Sequence, residues 1–285
     1  MEFLKFEGIP LRGDHPRIDS FTPRTVVMVG NGAIKNGWLP IEQVVRLGAL
    51  APDSIFRSFC LDQIPMEKLL VMISNFSRLG RRSLFSEDIC SNPEDLQQAI
   101  KLIRDSDIFR KSISDAILEF EGHDVSRLEL RNFPSSVMEG IHLDNCAFIT
   151  TNWDTCLWKN ELVRNAVYLH GRAGFENSII FPGESTADSS DWDTILRDCG
   201  RMPVLNEYRS FIEAHLGEAI PLIDHVHAVA HSWLLNCRKI IFWGIGLNTY
   251  DAEILGLVGL ANSDRQGKEV VCINPDGGGG DQSDP

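Results

Sequence analysis

Six short runs of apolar and β-branched residues punctuate the chain: TVVMVG at 25–30, CAFITT at 146–151, AVYLHG at 166–171, SIIF at 178–181, KIIFWG at 239–244 and EVVCIN at 269–274. None of them alternates polar with apolar positions. A strand with one wet face alternates, whereas a strand apolar on both faces belongs to a parallel sheet covered on both sides. The pattern therefore predicts an α/β fold, with a Rossmann-like parallel sheet of about six strands and helices on both faces. In open sheets of this kind ligands sit beyond the carboxyl ends of the strands. Several of the runs end in Gly, Asn or His.

Residues 31–145, between the first and second runs, contain no comparable run and read instead as helices. SNPEDLQQAIKLIRDS offers Ser91 or Asn92 as N-cap, Pro93 at the start, acids in the first turn, and Leu96, Ile100 and Ile103 on one face. IFRKSISDAILEFEG carries Ile108, Ile113, Ile117, Leu118 and Phe120 at helical spacing and stops at Gly122. Residues 52–140 are thus expected to be a helical module inserted into a core formed by 1–51 and 141–276. A polar, helical stretch at 184–238 separates the fourth run from the fifth. The glycine-rich end of the chain has nothing to pack, so 277–285 is expected to be disordered.

Composition narrows the function more than the fold. Hydrophobic residues make up 43 % and charged residues 24 % of the chain, an ordinary globular balance. No stretch approaches the roughly 20 apolar residues of a membrane helix, and the N-terminal MEFLKFEGIPLRGDHPR has no apolar signal core. The expectation is a soluble, cytoplasmic protein without membrane association. The net charge of −13 has the wrong sign for tracking phosphate backbones. The one dense basic cluster, RLGRRS at 78–83, is short and reads as a solvated helix end or loop, so no direct nucleic-acid contact is expected. Seven cysteines are scattered without a C-x-x-C pair, which argues against a disulfide framework and a zinc ribbon.

Candidate chemistry collects at the ends of the runs. The first passes into Gly30-Asn31-Gly32-Ala33, a G-x-G turn whose backbone N–H groups could face a phosphate. The third glycine of the dinucleotide fingerprint is replaced by Lys35. The second run leads into Thr151, Asn152 and Asp154, and the third into His170-Gly171. The fifth leads into a second glycine-rich turn with Gly244, Gly246, Asn248 and Asp251, and the last into Asn274. Each has an ordinary use: Asn152 as a turn former, Asp154 as a helix N-cap, His170 as a satisfied interior histidine. Five such ends in one parallel-sheet chain point instead to a shared ligand site. A rival cluster, His227 and His231 with His225 nearby, has the i, i+4 spacing of a zinc pair. It lacks the glutamate of H-E-x-x-H and an evident second ligand set, and reads as an ordinary helix face.

Taken in order, these blocks resemble the sirtuin (Sir2, DHS-like) NAD-binding fold. In sirtuins they read roughly G-A-G-x-S, T-Q-N-x-D, H-G, G-T-S and a terminal I-N; here they read GNGAI, TTNWD, LHG, GIGLN and CIN. The resemblance spans the run ends of 25–276 outside the helical stretches, and T-x-N-x-D with H-G is its most specific part. Three features differ from sirtuin deacylases. Only Arg172–Asn177 separate Gly171 from the next run, with no four-cysteine zinc module, and Ile34 stands after Ala33 in place of the serine. FPGE at 181–184 is similar to the acyl-peptide-pairing stretch of deacylases, but Pro182 removes a backbone donor there. A sirtuin-like core without zinc and with a helical insert is more similar to the bacterial NAD hydrolases of anti-phage defence.

That resemblance implies NAD as substrate and no zinc. It implies Gly30, Asn31, Gly32, Ala33, Thr151, Gly244, Gly246, Asn248, Asp251 and Asn274 as binding residues. It makes Asn152 the residue that orients a water, Asp154 the one that holds the carboxamide or stabilises positive charge, and His170 the base. Two alternatives accompany this expectation: an NAD-dependent protein deacylase, and a non-catalytic NAD or ADP-ribose sensor. Free NAD hydrolysis is toxic and the chain shows no sensor segment. Control is therefore expected from a homo-oligomer and a regulatory partner such as a HerA-like ATPase or an Argonaute-like protein.

Overall fold

The first run forms the central strand of the sheet, β1 (Thr25–Val29). The computed structural model describes residues 21–46, 52–57, 66–84, 86, 88, 91–122, 127–133, 142–160, 163, 165–174, 179–181, 220–245, 252–262 and 267–273. A two-residue pair follows β1 in sequence: β2 (Ile34–Lys35) lies antiparallel to β3 (Glu129–Leu130). The main sheet is completed by β4 (Cys146–Thr150), β5 (Ala166–Tyr168), β6 (Lys239–Trp243) and β7 (Glu269–Ile273). All five strands are parallel, in the order β5-β4-β1-β6-β7. The chain moves outward from β1 to β5, then returns to the other side of β1 as β6. This reversal beside β1 makes the carboxyl ends of β1 and β6 the topological switch point of the sheet.

Where about six strands were expected, five occur among the described residues, and the run SIIF supplies none of them. Ile179 and Phe181 are buried among helices instead, and Ile180 N–H donates to His170 O at 2.9 Å. A run this short carries no signal that separates a sheet strand from a segment buried against helices.

Both faces of β1, β4 and β6 are apolar because both are covered; the edge strand β7, expected to be covered on both sides, leaves Val270 and Cys272 exposed. Val26 and Met28 pack with Ala147, Ile149, Ile240 and Phe242 under α5 (Ile220–Asn236) and α6 (Ala252–Asn262). The alternate positions, Val27 and Val29, pack with Phe148, Ile241 and Trp243 on the opposite side. There the described cover is thinner than the full helical layer expected. It comprises Leu157 from the one-turn helix α4 (Cys156–Lys159), Val163, Leu143 and the 127–133 segment. The Phe133 ring lies 4.3 Å from that of Trp243.

The residues before β3 build a helical cluster from α1 (Leu39–Arg46), α2 (Met66–Ser83) and α3 (Pro93–Gly122). The two helical patterns of the sequence are one helix of 30 residues. It is capped by Asn92, whose Oδ1 accepts the Glu94 N–H at 3.1 Å. Phe56, Leu69, Ile73, Phe109 and Ile113 form the centre of the cluster. The expected boundary at 51/52 is not fully described, but α1 before it shares this core with α2 and α3 after it. Trp153, Ala173, Ile179 and Phe181, from segments just past β4 and β5, are buried in the same core. The helices thus pack directly on the carboxyl edge of the sheet. No described helix is long and apolar enough to cross a membrane.

Candidate functional site

Register aligns three of the expected residues. Val29 pairs with Thr150 and Thr150 with Tyr168. Asn31, Asn152 and His170 therefore each follow the last paired position of three neighbouring strands by two residues. Local bonds fix how the chain leaves those strands. The Thr150 hydroxyl donates to Val29 O at 2.9 Å and accepts the Asn152 N–H at 3.0 Å, tying β1 to the start of the next loop. After β5 the chain turns at once: Gly171 has φ 73 and its N–H donates to Tyr168 O at 3.3 Å. Glycine adopts this left-handed conformation without the penalty a side chain would bring.

Asn152 is 8 % exposed and His170 5 % exposed. The Nδ2 of Asn152 is buried with no hydrogen-bond partner, and so is that of Asn31. Leaving a buried donor unmet costs about 1–3 kcal/mol. Both unmet donors belong to residues two positions past the last paired residue of adjacent strands. Thr151, just before Asn152, is half-buried.

Asp154 is not the N-cap expected of it, since Thr155 occupies that position of α4, but it bonds the same helix start from one residue earlier. Its Oδ1 accepts the Cys156 N–H at 2.8 Å, at the start of α4. Burial pushes its carboxyl up from 3.8 to about 6; the bond from Cys156 works against the rise, and the nearby Glu121 charge adds to it. Burial, reinforced by the Asp154 charge, likewise raises the thiol of Cys156 and the phenol of Tyr168, whose oxygen accepts the Trp158 N–H at 3.0 Å.

The glycine-rich turns after β1 and β6 pack on one another. A Cβ on Gly30 would stand 2.5 Å from Gly244 O, and one on Gly32 3.0 Å from the same atom. Gly244 has φ 62, and a Cβ there would collide with Ala33 N. The mutual approach of the two turns accounts for these three glycines without a ligand. It also occupies their donors: Gly30 N–H goes to Trp243 O (2.9 Å), Gly32 N–H to Gly244 O (2.9 Å) and Ala33 N–H to Gly30 O (3.0 Å). A phosphate cradle built from these three N–H groups, as a G-x-G turn suggests, is therefore not available here. The turn continues as a short 3-10 segment into β2 and opens no α-helix. What it still offers is the Asn31 amide.

Three residues that the sequence reading passed over hold the site together. Thr150 is one, through the bonds already described. Glu121, in the last turn of α3, accepts the Thr155 N–H on Oε1 and the Thr155 hydroxyl on Oε2, both at 2.6 Å, and pairs with Lys159 Nζ at 2.6 Å. Ser114 on the same helix accepts the Gly174 N–H at 3.1 Å. An acid in a C-terminal turn opposes the helix dipole, and that anomaly was the available signal for Glu121. The loops after β4 and β5 also bind each other. Ala173 N–H donates to Trp153 O at 2.7 Å, and Trp153 Nε1 donates to Ile180 O at 3.2 Å.

Gly246, Asn248, Asp251, Asn274 and Pro182 lie outside the described residues. Among the described residues no group of three or more His, Cys, Asp or Glu side chains is placed to hold a metal ion. Comparison of the chain with known protein families, curated proteins and solved structures finds no match.

Proposed function

We propose that the chain hydrolyses NAD at the bond between nicotinamide and ribose, at the carboxyl edge of β1, β4 and β5. The observation that supports this most is the Asn152 amide. It is buried, its Nδ2 is unmet, and it is level with the buried His170 on the next strand. The reaction asks little of acid catalysis. As the C1′–N bond breaks, its electron pair neutralises the pyridinium nitrogen and leaves positive charge on the ribose. Asn152 orients a water towards C1′. The Asp154 carboxylate, ionised above about pH 6, stabilises the developing cation. His170 takes the proton released as the water oxygen bonds to C1′, a role commonly contributing about 10²–10⁴ in rate. The products are nicotinamide, ADP-ribose and a proton. Because the N–H groups of Gly30, Gly32 and Ala33 are committed within the protein, Asn31 Nδ2 is the side-chain donor this turn brings to the diphosphate or ribose.

Such an activity requires restraint in a cell, and we assign that restraint to self-assembly or to a regulatory partner subunit. The deciding experiment incubates purified chain with NAD, with and without an acylated peptide, and follows nicotinamide. Release without peptide supports the hydrolase. Release only with peptide replaces it with a deacylase. Tight binding of NAD or ADP-ribose without release, across a wide range of protein concentration, replaces it with a sensor.

A further inference from the structure

We propose that α3 is a two-point brace for the site, with Glu121 and Ser114 as positioning residues for the loops that carry Asn152 and His170. The two residues are seven apart, hence two turns apart on one helix face and about 10 Å along the axis. Glu121 holds the loop after β4 by two bonds to Thr155. Ser114 holds the loop after β5 through Gly174 N–H. The inner face of α3 is locked into the helical core by Phe109, Ile113, Ile117 and Phe120, so the brace is rigid relative to α1 and α2.

The placement of Glu121 is unfavourable on its own terms. Glu121 as a whole is 9 % exposed, it stands in the C-terminal turn of a helix with no basic residue there, and its charge lies near the buried carboxyl of Asp154. Burial, helix dipole and like charge all oppose it. The compensating groups, Thr155 N–H, Thr155 hydroxyl and Lys159, all belong to the loop and short helix that follow Asn152. The helical core is thereby coupled to the loop on which the proposed chemistry rests. A movement of the last turn of α3 moves the peptide from Asn152 to Lys159.

The test compares wild type, Glu121→Ala, Glu121→Gln and Ser114→Ala by amide hydrogen exchange and by nicotinamide release. The kinetic arm rests on the function proposed above; the exchange arm does not. Glu121→Ala is expected to speed exchange of residues 151–159 about tenfold while leaving β1 and β4 protected. Glu121→Gln, which keeps a carbonyl acceptor for Thr155 N–H, is expected to restore most of the protection. Ser114→Ala is expected to loosen 171–174 and not 151–159. In the kinetic arm Glu121→Ala is expected to lower kcat about tenfold with a smaller change in KM, and Glu121→Gln to recover part of it. If Glu121→Ala does not fold, Thr155→Val, which removes the hydroxyl that donates to Glu121 Oε2, carries the comparison against wild type, and unchanged exchange at 151–159 overturns the proposal. Loosening spread evenly over the fold, or unchanged kcat in a folded Glu121→Ala, also overturns it. If wild type releases no nicotinamide, the hydrolase reading fails, and the exchange pattern alone decides for or against the brace.

Discussion

Replacing Asp154 with Asn separates the two roles this carboxylate combines. The asparagine keeps an oxygen for the Cys156 N–H that Oδ1 now accepts at 2.8 Å, so the start of α4 is preserved. It removes a charge that burial and Glu121 disfavour. Raising the carboxyl from 3.8 to about 6 means the folded protein holds the proton more tightly than the unfolded chain, a difference of about 3 kcal/mol. For a group raised in this direction, the stabilising contribution is complete below about pH 4 and is lost as pH rises through about 6. Wild type thus carries a deficit above pH 6 that Asp154→Asn lacks. Allowing for the buried amide that replaces it, the variant is expected to be about 1–3 kcal/mol more stable than wild type at pH 8, roughly 2–10 °C in Tm. At pH 4 the two should be nearly equal. Thermal unfolding of both proteins from pH 4 to 8 measures this, and nicotinamide release on the same samples should fall sharply. A variant less stable than wild type at pH 8, or a difference that does not change with pH, would refute the reasoning and show that the carboxylate is held by bonds that outweigh its burial.

Asn152→Ala and His170→Ala are each expected to abolish nicotinamide release with unchanged circular dichroism; near-wild-type turnover in either removes that residue from the mechanism. Thr150→Val deletes both bonds of the hydroxyl and should cost about 1–2 kcal/mol in urea denaturation, and an unchanged midpoint would mean that β1 and the Asn152 loop are not tied there. Gly244→Ala places a side chain at φ 62 against Ala33 and should destabilise by about 1–3 kcal/mol or more; a neutral result would show that the two glycine turns separate freely.

The parts of the fold legible in the sequence are those that depend on local geometry. TVVMV, CAFIT and KIIFW read as strands because both of their faces are covered, which removes the alternation a half-exposed strand shows; EVVCI has the same apolar pattern although β7 leaves Val270 and Cys272 exposed at the sheet edge. Asn92, Pro93 and Gly122 mark the ends of α3 because orphan N–H groups and carbonyls at helix termini impose residue preferences. SIIF misled for the same reason that the others did not: an apolar run records burial, not the partner it is buried against.

The chain on its own determined which polar residues terminate apolar runs: Asn31 after β1, Asn152 after β4 and His170 after β5. Only the tertiary structure decided that these strands are neighbours in matching register, because strand order follows from how crossovers pack and not from any period within a strand. It also decided that the glycine turns after β1 and β6 pack against each other. And it brought Glu121, 34 positions away in sequence, onto Thr155; an acid at a helix C-terminus is a local oddity, but its partner is set by the packing of α3 on the sheet edge, which no local pattern records.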